Sequence, residues 1–255
     1  MKALVLILVA VLAAAASRVE ANDLYAAWGD CYDSGGASKI VFDCTPGRGT
    51  RYELFHSFTI DADMTNFIAA QGIVDLEFPQ EGVVPPWWML SGGCNDGGLG
   101  FDYLRGTACS GNSPLLCGTT PEACAGSTIV AEWIGGTGGY PGAPPNMARF
   151  LWVVARPTTS PVDLPAGRYY AWRMIFLMDN PGGLGPCAGC DAVASIGFRM
   201  LDVFDLSGGG PEIGYPCSII DPCPPPPAWA TACANCDAAV PVRAKTWGQL
   251  KALYR

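Results

Sequence analysis

Apolar and polar residues alternate with a period of two along much of this chain. From Tyr52 to Ile60 one face carries Tyr52, Leu54, His56, Phe58 and Ile60, and the other carries Glu53, Phe55, Ser57 and Thr59. Between Gly72 and Phe78, Val74, Leu76 and Phe78 alternate with Asp75 and Glu77. Tyr170, Trp172, Met174, Phe176 and Met178 share a face against Arg173, and Ile196, Phe198, Met200, Phe204 and Leu206 share another against Arg199 and Asp205. Such runs, bounded by Gly and Pro, predict half-buried strands. Shorter strand candidates lie at Lys39–Phe42, Thr128–Ile134 and Phe150–Ala155. No amphipathic helical pattern occurs before the last residues, so the crossover helices of a parallel sheet are missing. The pattern predicts an all-β fold: an antiparallel β-sandwich, jelly-roll-like, with long disulfide-tethered loops and a short C-terminal helix.

Composition agrees with a turn-rich β protein, with 32 Gly, 22 Pro and only 15% charged residues. A formal net charge of −8 argues against nucleic acid as a partner, because phosphate backbones are bound by clustered Lys and Arg. Before the first strand, Lys2 precedes an uncharged apolar run, Ala3 to Ala16, and Val19-Glu20-Ala21 places a small residue at a cleavage position. This reads as a signal peptide over residues 1–21, cut after Ala21. The run is shorter than the roughly 20 apolar residues of a membrane span, and none follows in the mature chain. The expected organisation is then a β-sandwich domain over 22–212, a Pro/Cys-rich tether over 213–240 and a basic amphipathic segment over 241–255.

Twelve cysteines against one histidine sharpen the picture. In an exported protein they read as disulfides. Proximity suggests the pairs Cys31–Cys44, Cys94–Cys109, Cys117–Cys124, Cys187–Cys190, Cys217–Cys223 and Cys233–Cys236, although spacing alone does not determine connectivity. Cys187-Ala-Gly-Cys190 and Cys233-Ala-Asn-Cys236 also have the form of a zinc-binding pair of CxxC motifs. Their separation exceeds the usual spacing of about 15–20 residues, and an oxidising compartment favours cross-links. Neither a metal nor a cofactor is expected.

Catalytic candidates are few. Any triad must use His56, which sits on the apolar face with Leu54 and Phe58 and so reads as a core histidine. Glycoside hydrolysis needs only a carboxylate pair, for which Asp61, Asp63, Asp75, Glu77 and Glu81 are available, each also an ordinary strand or turn residue. Asp61-Ala-Asp63-Met-Thr-Asn66 begins like a calcium loop but lacks the glycine at its sixth position and the closing Glu. No catalytic residue is assigned.

Binding candidates are aromatic. Trp87 and Trp88 follow Pro85-Pro86, and in a strand one of two neighbours would face outward, where it could stack on a sugar ring. At the C-terminus, Pro224 to Pro227 read as a stiff tether unable to join a sheet. Thr246-Trp-Gly-Gln249 has the spacing of a capping box. Trp247, Leu250, Leu253 and Tyr254 would share a side of the short helix that follows, with Lys251 and Arg255 as its cations. The segment either folds back on the acidic body or docks on secretion or cell-surface machinery.

The ending Thr246-Trp-Gly-Gln-Leu-Lys-Ala-Leu-Tyr-Arg255 resembles the TWGxxKxLYR terminus of a group of secreted proteins from environmental bacteria. Trp28-Gly-Asp-Cys31, Pro86-Trp87-Trp88, Cys94, Cys109, Pro165-Ala-Gly-Arg-Tyr169-Tyr170-Ala and Cys187-Ala-Gly-Cys190 are similar to the same group, whereas Cys117, Cys124, Cys217 and Cys223 depart from it. The resemblance implies export and a shared architecture, and carries no activity or active site. The expected function is a secreted or cell-surface-associated, non-enzymatic structural or adhesion protein. Its alternatives are a polysaccharide-binding sandwich using Trp87 and Trp88, and a secreted hydrolase with a carboxylate pair.

Overall fold

The computed structural model describes residues 23–45, 49–103, 108–109, 113–114, 128–134, 143–178, 187–214 and 228–236. Two sheets enclose a single large apolar core. The five-stranded sheet runs in the order β1 (Leu24–Trp28), β3 (Arg51–Ile60), β10 (Gly167–Leu177) and β5 (Leu99–Asp102), with β6 (Ser113–Pro114) beside β10. The eight-stranded sheet runs β2 (Lys39–Ile40), β13 (Thr231–Ala234), β11 (Ala194–Asp205), β4 (Met64–Glu77), β8 (Met147–Ala155) and β7 (Thr128–Ile134). Two short strands complete it, with β9 (Val162–Leu164) against β4 and β12 (Glu212–Gly214) against β11. Pairing is antiparallel except for β6 with β10 and β2 with β13. The expected antiparallel β-sandwich is the fold of this chain.

Alternation places Leu54, Phe58 and Ile60 of β3, and Val74 and Leu76 of β4, in the core. Two β-bulges change the pattern further along. In β10 the register to β3 shifts between Tyr170 and Trp172, so Ala171 is the extra residue. Trp172, Met174 and Phe176 therefore face the core, while Tyr170 lies on the opposite face with Phe55, Cys31 and Cys109. Tyr170 was expected beside Trp172; one inserted residue exchanges faces for everything beyond it. In β11 a shift between Phe198 and Met200 moves the core positions from Met200 onto Leu201 and Val203. The same bulge carries Arg199, whose side chain lies within reach of Asp75 on the neighbouring strand β4.

Strand β4 is longer than its sequence pattern suggests, because it continues back through Asn66 to Met64. Gly72 permits a close approach within it. A Cβ at this position would fall 2.5 Å from the indole of Trp152, its cross-strand partner on β8, so the ring packs directly on the glycine backbone.

Disulfides follow the convergence of loops in space rather than nearness in sequence. Cys31 joins Cys109, Cys44 joins Cys190 and Cys94 joins Cys187, across separations of 78, 146 and 93 residues. The expected pairs Cys31–Cys44, Cys94–Cys109 and Cys187–Cys190 are therefore replaced, while Cys233–Cys236 is present. In a sandwich, adjacent strands are often remote in sequence, so the loops they bring together are remote as well. Loops of such length close at a cost in the unfolded chain worth about 4–5 kcal/mol per bridge. Cys117, Cys124, Cys217 and Cys223 lie outside the described residues.

The segment after residue 212 also differs from expectation. β12 begins there, and β13 lies inside the 213–240 stretch read as a tether, pairing with both β11 and β2. The prolines at 224–227 lie outside the described residues; Thr231–Ala234, beyond them, has no proline to break a ladder.

Candidate functional site

Trp87 and Trp88 are both buried, which removes the stacking surface expected of them. The reason is local geometry: Pro86–Trp88 forms a 3₁₀ turn with Pro85 before it. Neighbours on such a turn do not point to opposite faces as strand neighbours do. Trp88 stacks on Phe42 at 5.6 Å and meets Phe78 and Phe176 edge-on, while Trp87 packs against Trp88 at 5.1 Å. Phe42 in turn stacks on Tyr52 at 4.6 Å. These rings plug one end of the core, where Cys44–Cys190 and Cys94–Cys187 tie the surrounding loops.

His56 lies fully inside the sandwich. Its imidazole stacks on Trp172 at 4.6 Å with an interplanar angle of 16°, and Phe198 meets it edge-on at 5.1 Å. Neither ring nitrogen makes a hydrogen bond of ordinary geometry. Burial among aromatic carbons pushes its pKa down to about 3, offset in small part by the backbone of Trp172. The ring is neutral, enclosed and out of reach of a substrate. This is the core histidine that the apolar face predicted.

Among the carboxylate candidates, Asp75 is bound in an ionic network that sequence reading missed. Arg149 donates to it twice, from Nε to Oδ1 at 2.7 Å and from Nη2 to Oδ2 at 2.9 Å. Arg199 Nε donates to the same Oδ2 at 3.1 Å, and Arg199 Nη2 continues to Glu77. Asp75 and Arg149 are cross-strand partners on β4 and β8, and both side chains are completely buried. Three charge-assisted donors hold the Asp75 oxygens. Asp75 and Arg199 at polar positions of two candidate strands, with Arg149 just before a third, were the available signal, but reading it required the strand order.

A second network lies on the five-stranded sheet. Arg173 of β10 reaches Glu53 of β3 at 2.8 Å and Asp102 of β5 at 2.6 Å, and Arg51 adds a 3.0 Å contact to Glu53. Partial burial opposes the Arg173 charge, yet the two carboxylates prevail and raise its pKa above the ordinary guanidinium range.

The remaining acidic candidates serve the backbone or lie in solvent. Asp63 Oδ1 accepts the Ala166 amide at 2.7 Å, and the Asn66 amide donates to Asp163 at 3.0 Å. The Asp61–Asn66 stretch thus leads into β4 instead of closing around a cation. Asp61 and Glu81 are exposed. The sulfurs of the two CxxC pairs are divided among three cross-links, which accounts for the thiolates a zinc site would need. Trp247, Leu250, Lys251, Leu253, Tyr254 and Arg255 lie outside the described residues. Among the described residues no helix is long and apolar enough to cross a membrane.

No protein-family profile and no curated protein matches the sequence. Among solved structures, a type II cohesin domain from the cellulosome of Acetivibrio cellulolyticus aligns with 13% identity and a TM-score of 0.34, covering 85% of this chain and 96% of that one. The second type II cohesin module of the adaptor scaffoldin ScaA from the same organism gives 10% identity and a TM-score of 0.27, covering 68% and 80%. A chain of a type II cohesin–X–dockerin complex from that organism gives 10% and 0.26, covering 68% and 89%. Likeness this remote transfers no binding surface and no partner.

Proposed function

We propose that this protein is a secreted or cell-surface-associated structural or adhesion protein that acts by presenting a rigid surface and not by catalysis. The supporting observation is the fate of its reactive side chains. His56 is sealed between aromatic rings, and Asp75 is held by Arg149 and Arg199. The described cysteines are joined in cross-links, three of them between loops remote in sequence. Chemistry that an enzyme would expose is spent here on fixing loops and sheets. Such cross-linking suits an oxidising compartment, and the segment over residues 1–21 supplies the export route. In this reading the basic ending from Trp247 to Arg255 docks on surface or secretion machinery.

Cell fractionation combined with mass spectrometry tests the proposal. The expected result is protein in the medium or at the cell surface, beginning at Asn22, with its described cysteines refractory to alkylation until reduced. A cytosolic protein whose cysteines alkylate without reductant would overturn it. Loss of the last ten residues from the mature form would mark them as a processed sorting signal, in place of a docking element.

A further inference from the structure

The disulfides among the described cysteines differ in how much of the fold each one holds. Cys31–Cys109, Cys44–Cys190 and Cys94–Cys187 span separations of 78, 146 and 93 residues, whereas Cys233 and Cys236 are only 3 apart. The entropy that a bridge removes from the unfolded chain grows with the loop it closes, so Cys233–Cys236 contributes least to global stability. Linkage is reciprocal: a bridge that adds little to the fold is protected little by the fold against reduction. Cys233 and Cys236 are also both half-buried, in contrast to the enclosed Cys31, Cys109 and Cys190. What this bridge does hold is a turn. It closes over Ala234 and Asn235, and Asn235 has the left-handed φ of 61°. The Asn235 amide donates to Ile40, its Oδ1 accepts the Phe42 amide at 2.8 Å, and the Cys233 carbonyl accepts the Trp28 indole at 3.1 Å. β2 is two residues long and pairs with β13 through Cys233 and Ala234 alone. The edge that leads to Phe42, whose ring stacks on Trp88, therefore depends on this turn.

We propose that Cys233–Cys236 is a redox latch: oxidised, it fixes the Asn235 turn and the β2–Phe42 edge, and reduced by a dithiol, it lets that edge part from β13 while the three long-loop bridges keep the sandwich closed. One thiolate of the dithiol attacks a sulfur of the bridge, forms a mixed disulfide and releases the other cysteine as a thiolate, which takes up a proton. The second thiol of the dithiol loses its proton, attacks its own partner sulfur in the mixed disulfide and frees the second cysteine. Two electrons and two protons pass to the protein, and the dithiol leaves as a disulfide. The opening is local, because the Trp28–Ala37 pairing and Cys44–Cys190 anchor the segment on either side of β2 and Phe42.

Stepwise titration of the oxidised protein with dithiothreitol, trapped with N-ethylmaleimide and mapped by mass spectrometry, tests the order of reduction. Cys233 and Cys236 are expected to be labelled first among the described cysteines, at a reductant concentration about tenfold or more below that which opens the other described bridges. Hydrogen exchange at that concentration should quicken about tenfold or more at the Phe42 and Asn235 amides. The centre of the β4–β8 ladder, around Val74 and Phe150, should keep its protection. A Cys233→Ser/Cys236→Ser double variant should show the same quickened exchange without reductant; if it mispairs its remaining cysteines, the titrated wild type decides alone. Earlier or simultaneous opening of Cys44–Cys190 or Cys94–Cys187, or a Phe42 amide that stays protected once Cys233 and Cys236 are reduced, would overturn the proposal.

Discussion

The backbone amide of Phe42 donates a 2.8 Å hydrogen bond to Oδ1 of Asn235, 193 residues further along the chain. The Asn235 amide donates to Ile40, and its Nδ2 donates to the carbonyls of Cys190 at 2.9 Å and Ala192 at 3.0 Å. One buried carboxamide thus ties together the segment after β2, the loop before β11 and the end of β13. Asn235 holds a left-handed backbone with φ of 61°, a conformation that Asn tolerates better than most residues. Cys233–Cys236 brackets it, and Cys44–Cys190 reinforces the same junction. The last described strand is a keystone of the sandwich.

Asn235→Ala should therefore cost about 2–4 kcal/mol, because it leaves buried backbone groups unpaired and places Ala in a left-handed conformation. Asn235→Gly should recover the backbone share of this loss but not the hydrogen-bond share. Chemical denaturation of the three proteins, oxidised, measures both. Equal midpoints for wild type and Asn235→Ala would remove the keystone role.

At Gly72 the expectation is steric. Gly72→Ala drives a methyl into the Trp152 ring and should destabilise by about 1–3 kcal/mol or more. Trp152→Phe in the same background frees part of that space, so the double variant should lose less than the sum of the single losses. Thermal unfolding of the four proteins gives the coupling, and strict additivity would show that the ring is not what meets the methyl.

For the buried ion network, Asp75→Asn removes the charge that Arg149 and Arg199 share, and should cost about 3–5 kcal/mol. Arg173→Gln, in the more exposed network with Glu53 and Asp102, should cost clearly less. Urea titrations of the two variants compare them directly; the reverse order would mean that burial does not set the value of these pairs.

Which parts of this structure were legible in the sequence follows from what a period-two pattern can carry. β3, β7, β8, β10 and β11 were visible as alternating or strongly apolar runs. β1 was not: all of Leu24 to Trp28 is buried, so nothing alternates. The bulges at Ala171 and Arg199 gave no separate signal, since one extra residue only reverses which face the next apolar residue joins. His56 was readable because its own strand supplied the context. Trp87 and Trp88 were misread because their turn is not a strand, and the disulfides because spacing does not reveal which loops meet.

The histidine gives the protein a distinctive acid response. Imidazole in the unfolded chain titrates near its ordinary value of 6.5, whereas in the fold burial holds it down to about 3. Protons therefore bind the unfolded chain preferentially between those values. The stability associated with the neutral ring is complete above pH 6.5 and declines as pH falls toward 3, by a total on the order of 5 kcal/mol. His56→Phe keeps an aromatic ring against Trp172 without a titrating group, so its stability should fall less over that interval. Carboxylates titrate in both proteins and largely cancel in the difference between them. Denaturant midpoints measured from pH 7 to pH 3.5 should diverge, with wild type losing more; parallel profiles would mean that His56 accepts its proton inside the fold.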